Sequence, residues 1–292
     1  MSYYRILGLE KEPFSTSPDP EFFCLFKEHK SALYRLRVSI ELKRGLGLIL
    51  GDVGTGKTTL SRKLAQILAA EENVIMSAIL NPVYASEEEF LADLAKRFHI
   101  DITHDNGREP GRIDYLRAVE KFLFENGVEN GKTIVLLIDE AQKLSFPCFE
   151  TLRTLLNYET NEYKILQVIL MGQMELLPII NRIKNLWDRI SLKYMINTLE
   201  ETEVRELINF RLKQAGYVSR YPLFTVDSVS AIYAHTQGYP RRIAILCHDA
   251  LEYLVMYRKE MVTREMIEEL IRREINPENI RARDFENANS RK

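Results

Sequence analysis

The sequence predicts an α/β fold, a parallel sheet with helices on both faces, followed by a small all-helical unit. Three observations carry that expectation. Short apolar runs alternate with amphipathic helical stretches up to about residue 198, a glycine-rich loop stands between the first such run and a helix, and from Leu199 onward only helical patterns remain.

The first helical stretch covers about Glu28 to Lys43, with Leu33, Leu36 and Ile40 on one face. An apolar strand at Leu46 to Leu50 runs into the loop, and beyond the loop Leu60, Leu64, Ile67 and Leu68 recur at helical spacing. Further strands are expected at Val74 to Leu80, Ile134 to Ile138, Ile165 to Met171 and Lys193 to Asn197. Runs this apolar suit strands buried on both faces of a parallel sheet. Phe90, Phe98, Phe122 and Phe124 lie in the amphipathic stretches between them and are expected in the core. The closing helices are expected at about Glu201 to Gln214, Val226 to His235, Arg241 to Tyr257 and Thr263 to Arg273, with Thr225 and Thr263 as N-caps. The chain therefore divides into an N-terminal linker and helix (1–44), a sheet-bearing core (45–198), a helical unit (199–275) and a polar tail (276–292) too poor in apolar residues to join a core.

Composition bounds the function. A hydrophobic content of 46% in 292 residues can supply a core for one large or two smaller domains. The net charge of -2, from 40 basic and 42 acidic residues, creates no global field toward nucleic acid or an anionic membrane. Cys24, Cys148 and Cys247 are odd in number, far apart and without zinc-ligand spacing, which argues against a disulfide framework or a structural metal. No run approaches the roughly 18 apolar residues of a membrane span, and the opening MSYYRILGLEKEPF lacks a signal peptide's apolar core. A cytoplasmic location is expected.

Gly51-Asp52-Val53-Gly54-Thr55-Gly56-Lys57-Thr58 satisfies the Walker A pattern, whose physical content is a loop of backbone N–H groups closing around phosphates at a helix N-terminus. Lys57 is placed to approach the β- and γ-phosphates, and the Thr58 hydroxyl to ligate Mg2+. Gly131-Lys132-Thr133 also reads GKT, but Asn126 replaces the required earlier glycine and the tripeptide leads into a strand. Ile134 to Ile138 followed by Asp139-Glu140 is a Walker B motif: a buried strand delivers Asp139 to hold Mg2+ and Glu140 to deprotonate the attacking water. An acidic helix start after a strand is the plain alternative for those two acids taken alone. ATP and Mg2+ are thus the expected cofactors.

With these residues in place the chain resembles the AAA+ ATPase domain of the ExeA/GspA family of secretion-pathway ATPases, over about Tyr4 to Arg272. The marks are Leu7-Gly8-Leu9, Pro13-Phe14, Ser17-Pro18-Asp19-Pro20, the loop Gly51 to Thr58 with Thr59, Asp139-Glu140-Ala141-Gln142, Gly172-Gln173-Met174-Glu175-Leu176, Asp188-Arg189-Ile190 and Gly238-Tyr239-Pro240-Arg241. The resemblance implies an ASCE-type P-loop NTPase core of the AAA+ kind with a helical lid. It implies that Asn81 can hold the catalytic glutamate until a partner binds, against the plain reading of an Asn-Pro turn. Gln173 matches the sensor 1 position, near the γ-phosphate or the attacking water. Arg189, with Arg182 as runner-up, matches the arginine finger that reaches a neighbouring subunit's nucleotide in a homo-oligomer, and a surface ion pair is the alternative for both. Arg241 matches sensor 2, with Arg242 beside it expected to matter less. Pro13, Phe14 and Phe22 either line the adenine pocket or pack on the core. Family members that work at the envelope carry a membrane span and a peptidoglycan-binding region after the ATPase domain; neither is legible here, so direct envelope attachment is not expected.

Two function classes follow. One is an ATPase that drives or switches assembly of a secretion, pilus or polysaccharide-export machine through a protein partner. The other is an ATP-dependent DNA-binding regulator of transposition, using Lys27, Lys30, Arg35, Arg37, Lys43 and Arg44 against phosphates. A solvated helix face explains those residues equally well, and the near-neutral charge disfavours DNA. A nucleotide switch without turnover is disfavoured by the intact Glu140.

Overall fold

The computed structural model describes residues 2–17, 19–102 and 109–273; Pro18 and the expected tail 276–292 lie outside them. The helices, in chain order, are α1 (Tyr3–Ile6), α2 (Lys27–Glu41), α3 (Lys57–Ala69), α4 (Glu87–Arg97), α5 (Arg112–Phe124), α6 (Phe146–Leu155), α7 (Leu176–Arg182), α8 (Leu186–Arg189), α9 (Glu201–Gln214), α10 (Val226–Thr236), α11 (Pro240–Met256) and α12 (Arg264–Arg273). The strands are β1 (Leu46–Gly51), β2 (Val74–Ile79), β3 (Thr133–Ile138), β4 (Leu166–Gly172) and β5 (Ile190–Ile196). Two compact units result, one holding Pro18–Asn197 and the other the described parts of Met1–Ser17 and Thr198–Lys292.

In the first unit the strands lie in the order β2-β3-β4-β1-β5 with every neighbouring pair parallel. Their carboxyl ends share one edge, which sets Gly51, Asp139 and Gln173 side by side. Side-chain alternation sends Leu48, Leu136, Val168 and Leu170 to one face, where Phe90 and Leu94 of α4 and Phe149 and Leu152 of α6 join them. Ile49, Val135, Leu137, Ile169 and Met171 turn to the other face, covered by Leu36 and Ile40 of α2 and by Leu60, Leu64 and Leu68 of α3. Each such side chain, buried from water, contributes about 1.5–3 kcal/mol.

The edge strand departs from expectation. β5 begins at Ile190, ahead of the expected Lys193, because an edge strand is solvated on alternate residues and carries Ser191 and Lys193 among its apolar positions. Its register slips at Leu46 and Gly47, where the Ser191 hydroxyl donates to the Leu46 carbonyl at 2.9 Å. Among the phenylalanines, Phe90 and Phe98 are buried and Phe122 packs at the margin of the core, but Phe124 is exposed at the end of α5, its ring edge toward Tyr158. Thr133 opens β3, so the second GKT tripeptide does lead into a strand.

The expected N-terminal segment 1–44 is divided between the units. From α2 onward it covers a sheet face, whereas its opening belongs to the helical unit: Phe14 is buried edge-on to Phe224, and the Glu10 N–H donates to the Ala215 carbonyl at 2.8 Å. In that unit the Thr225 hydroxyl caps α10 by accepting from the Ser228 N–H, and Pro240 occupies the first turn of α11. Gly238 has a φ of +76°, and a Cβ there would stand 2.0 Å from the Leu199 carbonyl oxygen, so only glycine fits. None of the three cysteines forms a disulfide, and no helix among the described residues is long and apolar enough to cross a membrane.

Candidate nucleotide site

The loop after β1 closes on its own lysine. Lys57 opens α3 and is 5% exposed, with Nζ donating to the carbonyls of Gly51 and Asp52, each at 2.8 Å. Burial pulls its pKa below the usual lysine value, while the carboxylates of Glu140, Asp139, Asp52 and Glu175 push it back up. Gly54 and Gly56 hold φ values of 84° and 95°, and a Cβ on Gly51 would meet the Ile196 carbonyl and Thr55 Oγ1 at 2.9 Å.

Asp139, at the end of β3, is 1% exposed and faces the first turns of α3. Thr58 hydrogen-bonds to its carboxylate, and the Ser61 hydroxyl, donating to the Thr58 carbonyl at 2.8 Å, lies 3.3 Å from Oδ2. The Glu140 N–H donates to Oδ1 at 2.9 Å. Burial raises the Asp139 pKa despite these donors. An aspartate raised in the folded state adds stability that is full below the ordinary aspartate range and lost as pH rises through the raised value. Asp139→Asn is therefore expected to melt higher than the parent protein at neutral pH without ligand, with the gain shrinking as pH falls toward the ordinary aspartate range. Calorimetric melts across pH check this; a variant less stable than its parent at neutral pH contradicts it.

Glu140 sits in the left-handed region at φ 52°, a strained backbone for a residue with a Cβ and one that gathers at functional sites. Its Oε2 accepts from Gln142 Nε2 at 2.9 Å and Gln173 Nε2 at 3.4 Å, with Lys143 Nζ at 3.8 Å. Gln142 also accepts from the Gln173 N–H at 3.2 Å, and a Cβ on Gly172 would lie 2.9 Å from that same amide oxygen.

The remaining expected residues are placed differently. Asn81 accepts from Lys143 Nζ at 3.1 Å, so the lysine stands between it and Glu140. Arg189 closes α8 and donates to Asn157 Oδ1 at 2.6 Å and to the Arg153 carbonyl at 3.2 Å, outside the cluster; Arg182 is exposed at the end of α7. Arg241 is exposed in the first turn of α11, in the other unit, and Arg242 lies over the Tyr239 ring. Phe14 packs in the helical unit, and Phe22 is buried in the sheet unit. Sequence reasoning gave no role to Ser61, to Lys143 or to Gln142, which it named only as a family mark. Ser61 carries a signal, since it follows Thr58 by one helical turn and so shares its face; the other two are ordinary polar residues until folded.

A strand, a glycine loop and a helix, with paired acids at the same edge of a parallel sheet ordered β2-β3-β4-β1-β5, define a P-loop protein of the AAA+ type. Residues 40–180 match the protein family described as an AAA domain. The chain is 35% identical over 254 residues to General secretion pathway protein A of Aeromonas hydrophila, covering 85% of this chain and 44% of that protein. It is an ExeA-like AAA+ protein, and it spans less than half the length of that relative. Solved structures share the fold at low identity. The ORC2 protein of Aeropyrum pernix aligns with a TM-score of 0.64 at 14% identity over 93% of this chain and 74% of its own. Drosophila ORC bound to DNA gives 0.65 at 17% over 96% and 68%. The Thermotoga maritima RuvB branch migration motor gives 0.52 at 15% over 82% and 67%.

Proposed function

We propose that the chain binds Mg-ATP on the loop from Gly51 to Thr59 and hydrolyses it to drive or switch assembly of a larger complex. The observation that carries this is the convergence of α3 on β3, with Ser61 3.3 Å from Asp139 and the buried Lys57 in the field of Asp139 and Glu140. The donors fit a magnesium nucleotide: Thr58 and Asp139 offer a hydroxyl and a carboxylate, the hard oxygens Mg2+ prefers, and Lys57 with the loop amides suits phosphate. The bound metal supplies charge neutralisation at the phosphates. Glu140 takes the proton of the attacking water, Gln173 orients that water or the γ-phosphate, and Asn81 acts on Glu140 through Lys143. Arg241, in the helical unit, carries the sensor 2 role that the family resemblance implies.

Arg189 reaches the nucleotide of a neighbouring subunit in a homo-oligomer, released for that from Asn157. Arg189→Ala is expected to lower turnover by roughly 10³-fold. Mixing it with Glu140→Gln subunits, which lack the base but keep Arg189, partly restores activity; full activity in the single variant removes Arg189 as the finger.

The kinship with a general secretion pathway protein supports a protein partner in secretion, pilus or polysaccharide export, and the location proposed for this chain is cytoplasmic. DNA is not favoured as partner. Arg37 is paired with Glu41 and Glu71, Arg35 lies over the Tyr194 ring, and Lys43 over the Tyr163 ring, so these cations are engaged within the chain. An ATPase assay on purified protein with Mg2+, with and without duplex DNA, tests both points. Absence of ATP turnover under any condition refutes the ATPase, and DNA-stimulated turnover with filaments transfers the role to transposition.

A further inference from the structure

The glycine loop is gripped from outside by a residue that none of its motifs contains. His29, in the first turn of α2, is 2% exposed, with Nε2 lying 2.9 Å from the Thr55 carbonyl oxygen. A carbonyl only accepts, so this nitrogen carries the proton and the bond fixes the ring's tautomer. Phe23 packs edge-on to the imidazole at 5.0 Å between centroids. A Cβ on Gly56 would stand 3.0 Å from Nε2 and 3.5 Å from the Phe23 ring, so these two rings fill the outer side of that glycine. The mount is firm, because the neighbouring Glu28 accepts from the Tyr194 hydroxyl of β5 at 3.1 Å.

We infer that His29 is a positioning residue for nucleotide binding: by holding the Thr55 carbonyl outward it aims the Gly56 N–H into the loop, where a phosphate would sit. The reason is peptide geometry. No peptide bond among the described residues is cis, and in a planar trans unit the C=O and the following N–H point in opposite directions. An oxygen captured by His29 therefore turns the Gly56 N–H toward the concave side. Glycine makes such a restraint necessary, since Gly54 and Gly56, both at positive φ, leave this stretch many backbone alternatives. The loop's glycines permit the close approach to an anion, and His29 selects one orientation among those they permit.

This inference rests on the ATP-binding reading, and the test separates the two. Mg-ATP affinity is measured by calorimetry for the parent, His29→Gln and His29→Met, with ligand-free melts by circular dichroism ensuring that each is folded. Glutamine carries its amide nitrogen near the place of Nε2, whereas methionine has similar length and flexibility but no donor. His29→Met is expected to bind Mg-ATP roughly tenfold more weakly and His29→Gln within about threefold of the parent, the difference being one hydrogen bond. Turnover at saturating ATP stays within about twofold for both, because the effect is on binding and not on the chemical step. Equal losses in the two variants reduce His29 to packing, and no loss in either removes it altogether; both outcomes overturn the inference. A parent protein that binds no Mg-ATP refutes the nucleotide site itself.

Discussion

Lys57→Ala is expected to weaken Mg-ATP binding by roughly 10²-fold or more, from the loss of charge-assisted bonds at a water-poor site. The ammonium does two things in the folded chain. It satisfies the carbonyls of Gly51 and Asp52, and it offsets the negative field of Asp139, Glu140, Asp52 and Glu175. Without it, an incoming triphosphate meets those acids unopposed. The substitution also removes a buried charge that is itself costly. A lysine whose pKa is lowered in the folded state adds stability above the ordinary lysine range and loses it as pH falls through the lowered value, so at neutral pH the charged group is a burden. Lys57→Met, which keeps the stem's volume, is accordingly expected to melt no lower than the parent without ligand and to show no upward shift on adding Mg-ATP. Calorimetric titration of the alanine variant and melts of the methionine variant read the two effects separately. A normal Mg-ATP shift in Lys57→Met contradicts the assigned role.

The extent to which these features could be read in advance follows from how local their causes are. β1, β3 and β4 are largely apolar runs, interrupted in β4 by the buried Gln167, because they are buried on both faces, and that burial is written in the runs themselves. The start of β5 was hidden because edge exposure replaces the apolar run with alternation. The glycine loop and the Asp139-Glu140 pair are local patterns and were legible. The division of the N-terminal segment was not, since nothing near Glu10 or Phe14 indicates that their partners are Ala215 and Phe224. The same holds at the site. Asn81 stands at the expected strand end, but its amide meets Lys143, and the groups that hold Glu140 and the loop, namely Gln142 and His29, are identified only by the contacts that folding creates.

Glu140→Gln is expected to leave nucleotide binding intact and to slow turnover by about 10²–10⁴-fold, the usual contribution of a positioned general base. The surroundings of the carboxylate explain why the two effects part. Gln142 and Gln173 donate to Oε2, and an amide oxygen in the same place still accepts, though more weakly than a carboxylate, so glutamine keeps the side chain's shape and its connection to the end of β4. The strained backbone at φ 52° is also unchanged, because glutamine has the same branching and length as glutamate. What disappears is an oxygen able to take a proton from water. Lys57, Thr58 and Asp139 are untouched, so the nucleotide is still held, and single-turnover assays beside equilibrium binding resolve the two quantities. The neighbouring carboxylate gives the contrast: Asp139→Asn should lose Mg2+-dependent binding as well as turnover, since its place is against Thr58 and Ser61 and not against the amides at the end of β4. Normal turnover by Glu140→Gln would show that another group receives the proton, and the constrained geometry around Glu140 would then need a different purpose.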